Sequence, residues 1–175
     1  DDIDTTGTPS LTLSDTLLLV GDNATLTVVF PEPVASSSFS AATITNPPNG
    51  TLAVMTSSDN ITWTGIFTPT ANTEDASNTL SLANSWTDTV GNPGTAATSS
   101  NYEVETRAPT VSSFTLSDTA LKAGDNATVS LVFSEAVASF SSDADITVPN
   151  LDNGTTSGTL ATMTSSDNIT WTGTF

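Results

Sequence analysis

Along the chain, apolar side chains alternate with Thr and Ser in short runs, and no stretch repeats them at helical spacing. Leu26, Val28 and Phe30 alternate with Thr25, Thr27 and Val29, so one face of that segment belongs in a core. Thr62-Trp63-Thr64 continues the same period of two. In the first unit this pattern predicts strands near 10–14, 24–30, 43–45, 51–56, 62–67, 79–87 and 101–104. Turn residues separate the runs: Gly21-Asp22-Asn23, Asn46-Pro47-Pro48-Asn49-Gly50, Ser58-Asp59-Asn60 and Gly91-Asn92-Pro93-Gly94.

The pattern then recurs. Residues 51–67, TLAVMTSSDNITWTGIF, return as 159–175, TLATMTSSDNITWTGTF, with fifteen of seventeen positions identical. Upstream, LSDTLLLVGDNATLTVVF ending at Phe30 returns as LSDTALKAGDNATVSLVF ending at Phe133. The offsets are 103 residues upstream and 108 downstream, which places a short insertion around 150–157. A period just over 100 residues with seven short strands is the size of an immunoglobulin-like sandwich. The expected fold is therefore all-β: tandem immunoglobulin-like Greek-key β-sandwiches, repeat 1 over 1–105 and repeat 2 over 106–175, the second incomplete.

Phe175 matches Phe67, so repeat 2 lacks a counterpart of 68–105, its last two strands included. Such a unit is expected to expose a sheet edge and an apolar face. Either the chain is an excerpt of a longer array, or another chain supplies the strands. Asp1–Thr8 is a poor donor, with three acids beside Ile3, so covalent continuation is the expectation. The chain opens on Asp1 without Met, as a processed product or an excerpt would.

Composition narrows the function. Leu, Ile, Val and Phe number only 39 of 175, while Thr (35) and Ser (24) make up a third of the chain and suit either face of a sheet. Nineteen acids face two bases, Lys122 and Arg107, for a net charge of −17. That excludes a basic surface for nucleic acid, and an anionic membrane would repel it. Without His or Cys there is no Ser-His-Asp triad, thiol nucleophile, ordinary zinc site or disulfide. Leu17 to Val20, the longest apolar run, is far too short to span a bilayer.

The acids fall in loops. In a Greek key the loops after the second, fourth and sixth strands gather at the pole where the chain enters. In repeat 1 these carry Glu32, Asp59 and Asp88, and the entering segment is Asp1-Asp2-Ile3-Asp4. Repeat 2 reproduces part of the set with Glu103 and Glu105 at its entry and Glu135 and Asp167 in its loops, where Arg107 can neutralise one carboxylate. Crowded carboxylates suit calcium, which takes six to eight oxygens with tolerant geometry, better than magnesium. The alternative is a set of solvated surface acids.

Phrases such as LSDTALKAGDNATVSLVFSEAV, SSDNITWTGTF and FTPTANTEDASNTLSLANSWTDTVGNPGTAATSSNYEVETRAPT resemble the bacterial immunoglobulin-like repeats of very large tandem-repeat surface adhesins, of biofilm-associated and repeats-in-toxin type. The resemblance spans essentially the whole chain. It implies an extracellular, calcium-rigidified extender that carries a distal ligand-binding domain. It further implies calcium positions at Asp4, Glu32, and Asp88 with Asn92, matched in repeat 2 by Glu105 and Glu135. The linker Asp4-Thr5-Thr6-Gly7-Thr8-Pro9 departs from the usual acidic-Thr-x-Ala-Pro form.

Other readings carry less. Trp63, Trp171 and Trp86 are expected in cores rather than as sugar-stacking platforms. Asn-x-Thr sequons at Asn23, Asn49, Asn60, Asn126, Asn153 and Asn168 all fall in predicted turns. The Thr-x-Thr runs lack the short period of an ice-binding solenoid, and no cleft holds paired carboxylates for glycoside hydrolysis. No enzyme is expected. The partners expected are neighbouring repeats of the same chain and other copies in a filament. The competing class is a glycan- or protein-binding module using loops or Trp residues, or a strand-exchanging filament subunit. The identity of SSDNITW in both repeats favours the extender, because ligand loops in tandem tend to diverge.

Overall fold

The computed structural model describes residues 7–45, 47–149 and 157–175. Residues 1–6, with Asp4 and the first half of the linker, Asn153 and most of the insertion around 150–157 lie outside the described residues. The chain divides into two compact units, Asp1–Arg107 and Ala108–Phe175.

In unit 1 the strands are β1 (Ser10–Leu13), β2 (Leu17–Leu19), β3 (Ala24–Val29), β4 (Ile44–Thr45), β5 (Gly50–Leu52), β6 (Thr62–Pro69), β7 (Glu74–Asn78), β8 (Ser81–Leu82), β9 (Ala97–Thr98) and β10 (Tyr102–Glu105). One sheet runs β1-β3-β6-β5, with every pair antiparallel. The opposing layer comprises β2-β10-β7 and β4-β8-β9. Its β2 lies parallel to β10, so the chain crosses from one sheet to the other between β1 and β2. This is an immunoglobulin-type sandwich.

The alternation read in the sequence sets the buried face. Ala24, Leu26 and Val28 are buried, as are Phe67, Gly65 and Trp63 opposite them on β6, and Phe30 follows, buried, at the end of β3. A Cβ at Gly65 would meet the Met55 sulfur at 2.5 Å and the Ala53 carbonyl at 3.2 Å, so a larger residue there would have to displace the Met55 side chain. From the second layer come Leu80, Leu82, Trp86, Tyr102 and Val104, all almost fully covered. Rings link the layers edge to face: Phe30 meets Trp86 with centroids 4.7 Å apart and Phe39 at 4.9 Å, and Phe39 meets Trp63 at 5.1 Å. The tryptophans of unit 1 are core residues.

Three strands were not legible in the pattern: β2, β7 and β9. The predicted 79–87 strand shrinks to Ser81–Leu82, and 51–56 to Gly50–Leu52. Strands β7 and β8 follow one another against β10 and β9, interrupted around Thr79-Leu80 and offset by a bulge opposite Tyr102 and Val104. The breaks replace long alternating runs with short irregular ones.

Unit 2 contains β11 (Val111–Leu116), β12 (Thr128–Phe133) and β13 (Thr170–Thr174) in one antiparallel sheet, plus a helical turn, Ser142–Asp145. Its buried core is small, comprising Val129, Leu131 and Met163, with Phe133, Phe140, Trp171 and Phe175 packed against it at partial exposure. Leu11 of unit 1 is 5 % exposed, whereas its counterpart Phe114 is 55 % exposed. The expected bare apolar face is present on the described residues. The counterpart of β2, residues 120–122, forms no strand, and no described residue plays the part of β10.

Candidate functional site

The three loops singled out in unit 1 are tied together by their backbones. The Val34 N–H donates to the Asn60 carbonyl at 2.9 Å, and the Ala35 N–H donates to the Thr87 carbonyl at 3.0 Å. Val34 also bridges Asp88, so the loops bearing Glu32, Asp59 and Asp88 share one end of the sandwich. In unit 2 the Val137 N–H donates to the Asn168 carbonyl at 2.9 Å, which joins the Glu135 and Asp167 loops in the same way.

Asp59 and Asp167 organise their own loops. Asp59 Oδ1 accepts from the backbone N–H groups of Ile61 (2.9 Å) and Thr62 (2.8 Å) and from the Ser57 hydroxyl (3.0 Å). Asp167 repeats this with Ile169, Thr170 and Ser165 at 2.9, 2.8 and 2.9 Å. Those donors favour the anion and hold both carboxyls below the usual range. Asn60 and Asn168 follow at φ +60° and +58°, a left-handed position that Asn tolerates. The identical SSDNIT sequence thus encodes one identical turn.

Asp88 is buried at 1 % exposure despite its charge. Its Oδ1 accepts three backbone N–H bonds, from Val90 (2.9 Å), Gly91 (2.6 Å) and Asn92 (2.8 Å). Its Oδ2 accepts from Asn92 Nδ2 at 2.6 Å. Burial pushes this carboxyl up, but the Asn92 side chain and the three N–H groups outweigh burial and hold it below the ordinary value. Gly91, at φ +98°, provides the left-handed turn that lets the loop close around the carboxylate. The loop begins immediately after Trp86, whose Nε1 donates to the Thr95 carbonyl at 2.9 Å.

Glu32 is buried as well, at 7 % exposure, two residues before Val34. Glu103 is exposed on β10, and Glu105 lies half-exposed at its end with the Arg107 N–H near its Oε1 (3.3 Å). Arg107 pairs with Glu74, which stands directly across from Glu105 in the β7–β10 register, so the neutralised acid is Glu74. Glu103 and Glu105 belong to unit 1, and Glu135 and Asp167 to unit 2. Among the described residues, no group of three or more carboxylates is arranged to hold a metal ion. The donor chemistry fits calcium in part: Glu32 has two carboxylate oxygens, and Asn92, donating through Nδ2, keeps its carbonyl oxygen for another partner.

Sequence reasoning missed a polar knot at the other strand ends. Asn49 Nδ2 donates to Asp75 Oδ2 (2.8 Å) and Asn78 Oδ1 (2.7 Å), and the Tyr102 hydroxyl donates to the Pro48 carbonyl at 2.5 Å. The Asn49 amide nitrogen is thereby engaged, which closes that sequon in the folded unit. Only Asn-Gly at 49–50 and the lone Tyr102 hinted at the knot, and neither names its partners.

Strand order, the parallel β2–β10 pair and the loop-bound pole define a module of the immunoglobulin-like sandwich class. The family model described as Bacterial Ig-like domain matches residues 4–104 and again 105–175, and the chain belongs to that family. No curated protein and no solved structure matches it.

Proposed function

We propose that this chain is a structural extender of a long extracellular adhesin or surface filament, non-enzymatic and stiffened by calcium at its poles. The observation that carries the reading is the reuse of one loop framework in both units, down to the bonds of Asp59 and Asp167. A tandem spacer needs such uniformity, whereas ligand loops diverge. Burial of Trp63 and Trp86 further disfavours a sugar-stacking surface. Membership of the bacterial Ig-like family supports a structural role.

In this reading calcium is held by Glu32, Asn92 and the Asp88 loop in unit 1, with Asp4, outside the described residues, as the remaining carboxylate donor. Glu135 is the corresponding loop donor of unit 2, while Asp59, Asp167 and Glu103 act mainly as turn-formers or surface charge. With 19 acids against two bases, the chain itself supplies few countercharges, and a divalent ion replaces them.

The test is a calcium titration at fixed ionic strength, following the melting temperature together with the spread of unit-to-unit distances by small-angle scattering. At a hundredfold excess over Kd, one site adds about 2.7 kcal/mol to stability. The melting temperature is expected to rise by several degrees and the spread to narrow, and Glu32→Gln is expected to remove most of the calcium increment. A melting temperature indifferent to millimolar calcium, with unchanged scattering, would sink the calcium part.

A further inference from the structure

In unit 1, β2 is the edge of its layer. The order is β2-β10-β7, and among the described residues no strand pairs with the other side of Leu17–Leu19. Leu18 is buried, whereas Leu17 and Leu19 are 47 % and 45 % exposed and Val20 is 71 % exposed. An apolar edge of this kind is a template on which another extended chain can pair. At the opposite edge of the same layer, β7 opens on Glu74-Asp75, charges that deter a pairing strand. The leucines of β2 offer no such deterrent.

The register shows which backbone groups face that edge. Leu17, Leu18 and Leu19 lie parallel to Glu103, Val104 and Glu105, and the Glu103 N–H donates to the Thr16 carbonyl at 2.8 Å. Alternate residues of a strand turn their N–H groups to the same side, so Leu18 faces β10 while the N–H groups of Leu17 and Leu19 point away from it. Both are already taken. The Leu17 N–H donates to Asp15 Oδ1 at 3.0 Å, and the Leu19 N–H donates to Asp22 Oδ2 at 2.9 Å. The Asp22 N–H in turn donates to the Leu19 carbonyl at 3.1 Å. Unit 2 repeats these bonds with Asp118 and Asp125, each 103 residues after Asp15 and Asp22. The Ala120 N–H donates to Asp118 Oδ1 at 2.8 Å, the Lys122 N–H to Asp125 Oδ2 at 3.0 Å, and the Asp125 N–H to the Lys122 carbonyl at 3.0 Å. The residues between the two acids differ, Leu-Leu-Leu against Ala-Leu-Lys, while the bonds are the same.

We propose that Asp15 and Asp22 cap the edge of β2, holding both of its outward donors and so barring a second copy of this chain from pairing with it. The bar is competitive. A second β2 laid antiparallel across a two-fold axis needs the Leu17 and Leu19 N–H groups for its ladder, and it brings the exposed leucines of both copies onto one face. The caps must be given up to form it. Each is a charge-assisted bond closed over two or three residues, so it costs little entropy to keep. Neighbouring near-identical repeats hold such edges at high local concentration, where uncapped strands would cross-pair. The inference rests on the β2–β10 ladder and its flanking acids, and it stands whether or not calcium binds the poles.

The experiment compares two double variants of the whole 175-residue chain that lose the same two charges. Asp15→Ala with Asp22→Ala removes both acceptors, whereas Asp15→Asn with Asp22→Asn keeps a carbonyl oxygen at each position. Mass is followed by light scattering over a concentration series in high salt, where repulsion between copies is screened, and amide hydrogen exchange locates any pairing. The Ala pair is expected to dimerise, with protection appearing at Leu17 and Leu19. Wild type and the Asn pair are expected to stay monomeric to concentrations at least about tenfold higher. Adding Leu17→Pro to the Ala pair deletes one outward N–H and none of the β10 ladder, and it should return the monomer. If the Ala pair does not fold, Asp15→Ala alone, which leaves the Asp22 turn in place, makes the same comparison with Asp15→Asn. The inference is overturned if the Ala variant stays as monomeric as wild type, or if Ala and Asn variants associate alike, so that charge alone governs association. It is overturned equally if the dimer protects strands other than β2, or if wild type already pairs through β2.

Discussion

Trp63 and Trp86 share a core but not a hydrogen-bonding fate. Trp86 Nε1 donates to Thr95, whereas the buried Nε1 of Trp63, like that of Trp171, has no acceptor among the described residues. An unsatisfied buried donor costs roughly 1–3 kcal/mol, and a made hydrogen bond contributes about 1 kcal/mol. Trp63→Phe removes the first penalty, while Trp86→Phe strands the Thr95 carbonyl and opens space beside Phe30 and Gly94. Both lose ring volume, so both destabilise, but Trp86→Phe should cost about 1–2 kcal/mol more by denaturant unfolding. Equal losses would contradict this. Asp88 makes a second residue-scale prediction through pH. Its folded pKa is depressed, so its contribution is complete above the unfolded value near 3.9 and disappears as pH falls through the folded value. Asp88→Asn still presents one oxygen to the three N–H groups but opposes an amide to Asn92. The melting gap between wild type and variant should therefore be widest above about pH 4 and close in stronger acid. A gap that stays constant down to pH 2 would show that the charge is irrelevant. That Asp88 belongs to a loop was legible from its turn residues; that four donors enclose it was not, because three of them are backbone groups that carry no sequence signature.

At the scale of elements, the central strands were readable and the outer layer was not. Strands β3 and β6 are long, bury one face and solvate the other, so period-two alternation marks them clearly. Strand β7, Glu-Asp-Ala-Ser-Asn, has no apolar residue larger than Ala and is held by the β10 ladder and by Asn78. Strand β2 was hidden for another reason: Leu17-Leu18-Leu19 is a continuous apolar run whose outer two residues remain exposed. Its pairing with β10 is nearly ninety residues distant in sequence and leaves no local trace. The same β10 supplies an element-scale prediction. Tyr102 is the sole tyrosine, and its phenol is pushed up to about 12, by burial first and by the Asp75 charge second. A raised acid pKa means that stability is intact below the unfolded value near 10 and is lost as pH climbs toward the folded one. Ultraviolet titration should therefore show no phenolate until the β7–β10 layer opens, with ionisation and loss of sheet signal coinciding above pH 10. Ordinary titration near pH 10 with the sheet intact would place the hydroxyl in solvent and break its bond to Pro48.

For the whole molecule, the two units share sequence but not the extent of burial. Unit 1 buries a continuous core reaching from Leu11 through Trp86 to Val104, while unit 2 buries Val129, Leu131 and Met163 and leaves Phe114 and Leu116 to water. Side chains of this kind are worth about 1.5–3 kcal/mol each when fully buried, so a layer of five is decisive against a net stability of about 5–15 kcal/mol for a domain. Two transitions are therefore expected on heating, with unit 2 opening first. Hydrogen exchange should assign them, since β11–β13 ought to exchange well before β3 and β6 although Leu131 and Val28 occupy the same position in their repeats. Salt discriminates further. With a net charge of −17, both units should gain from monovalent salt as mutual repulsion is screened, but screening adds no apolar burial to unit 2. Raising salt should thus lift both transitions while preserving the interval between them. A single cooperative transition at every salt concentration, with β11–β13 as protected as β3 and β6, would mean that unit 2 draws its stability from something other than its own three strands.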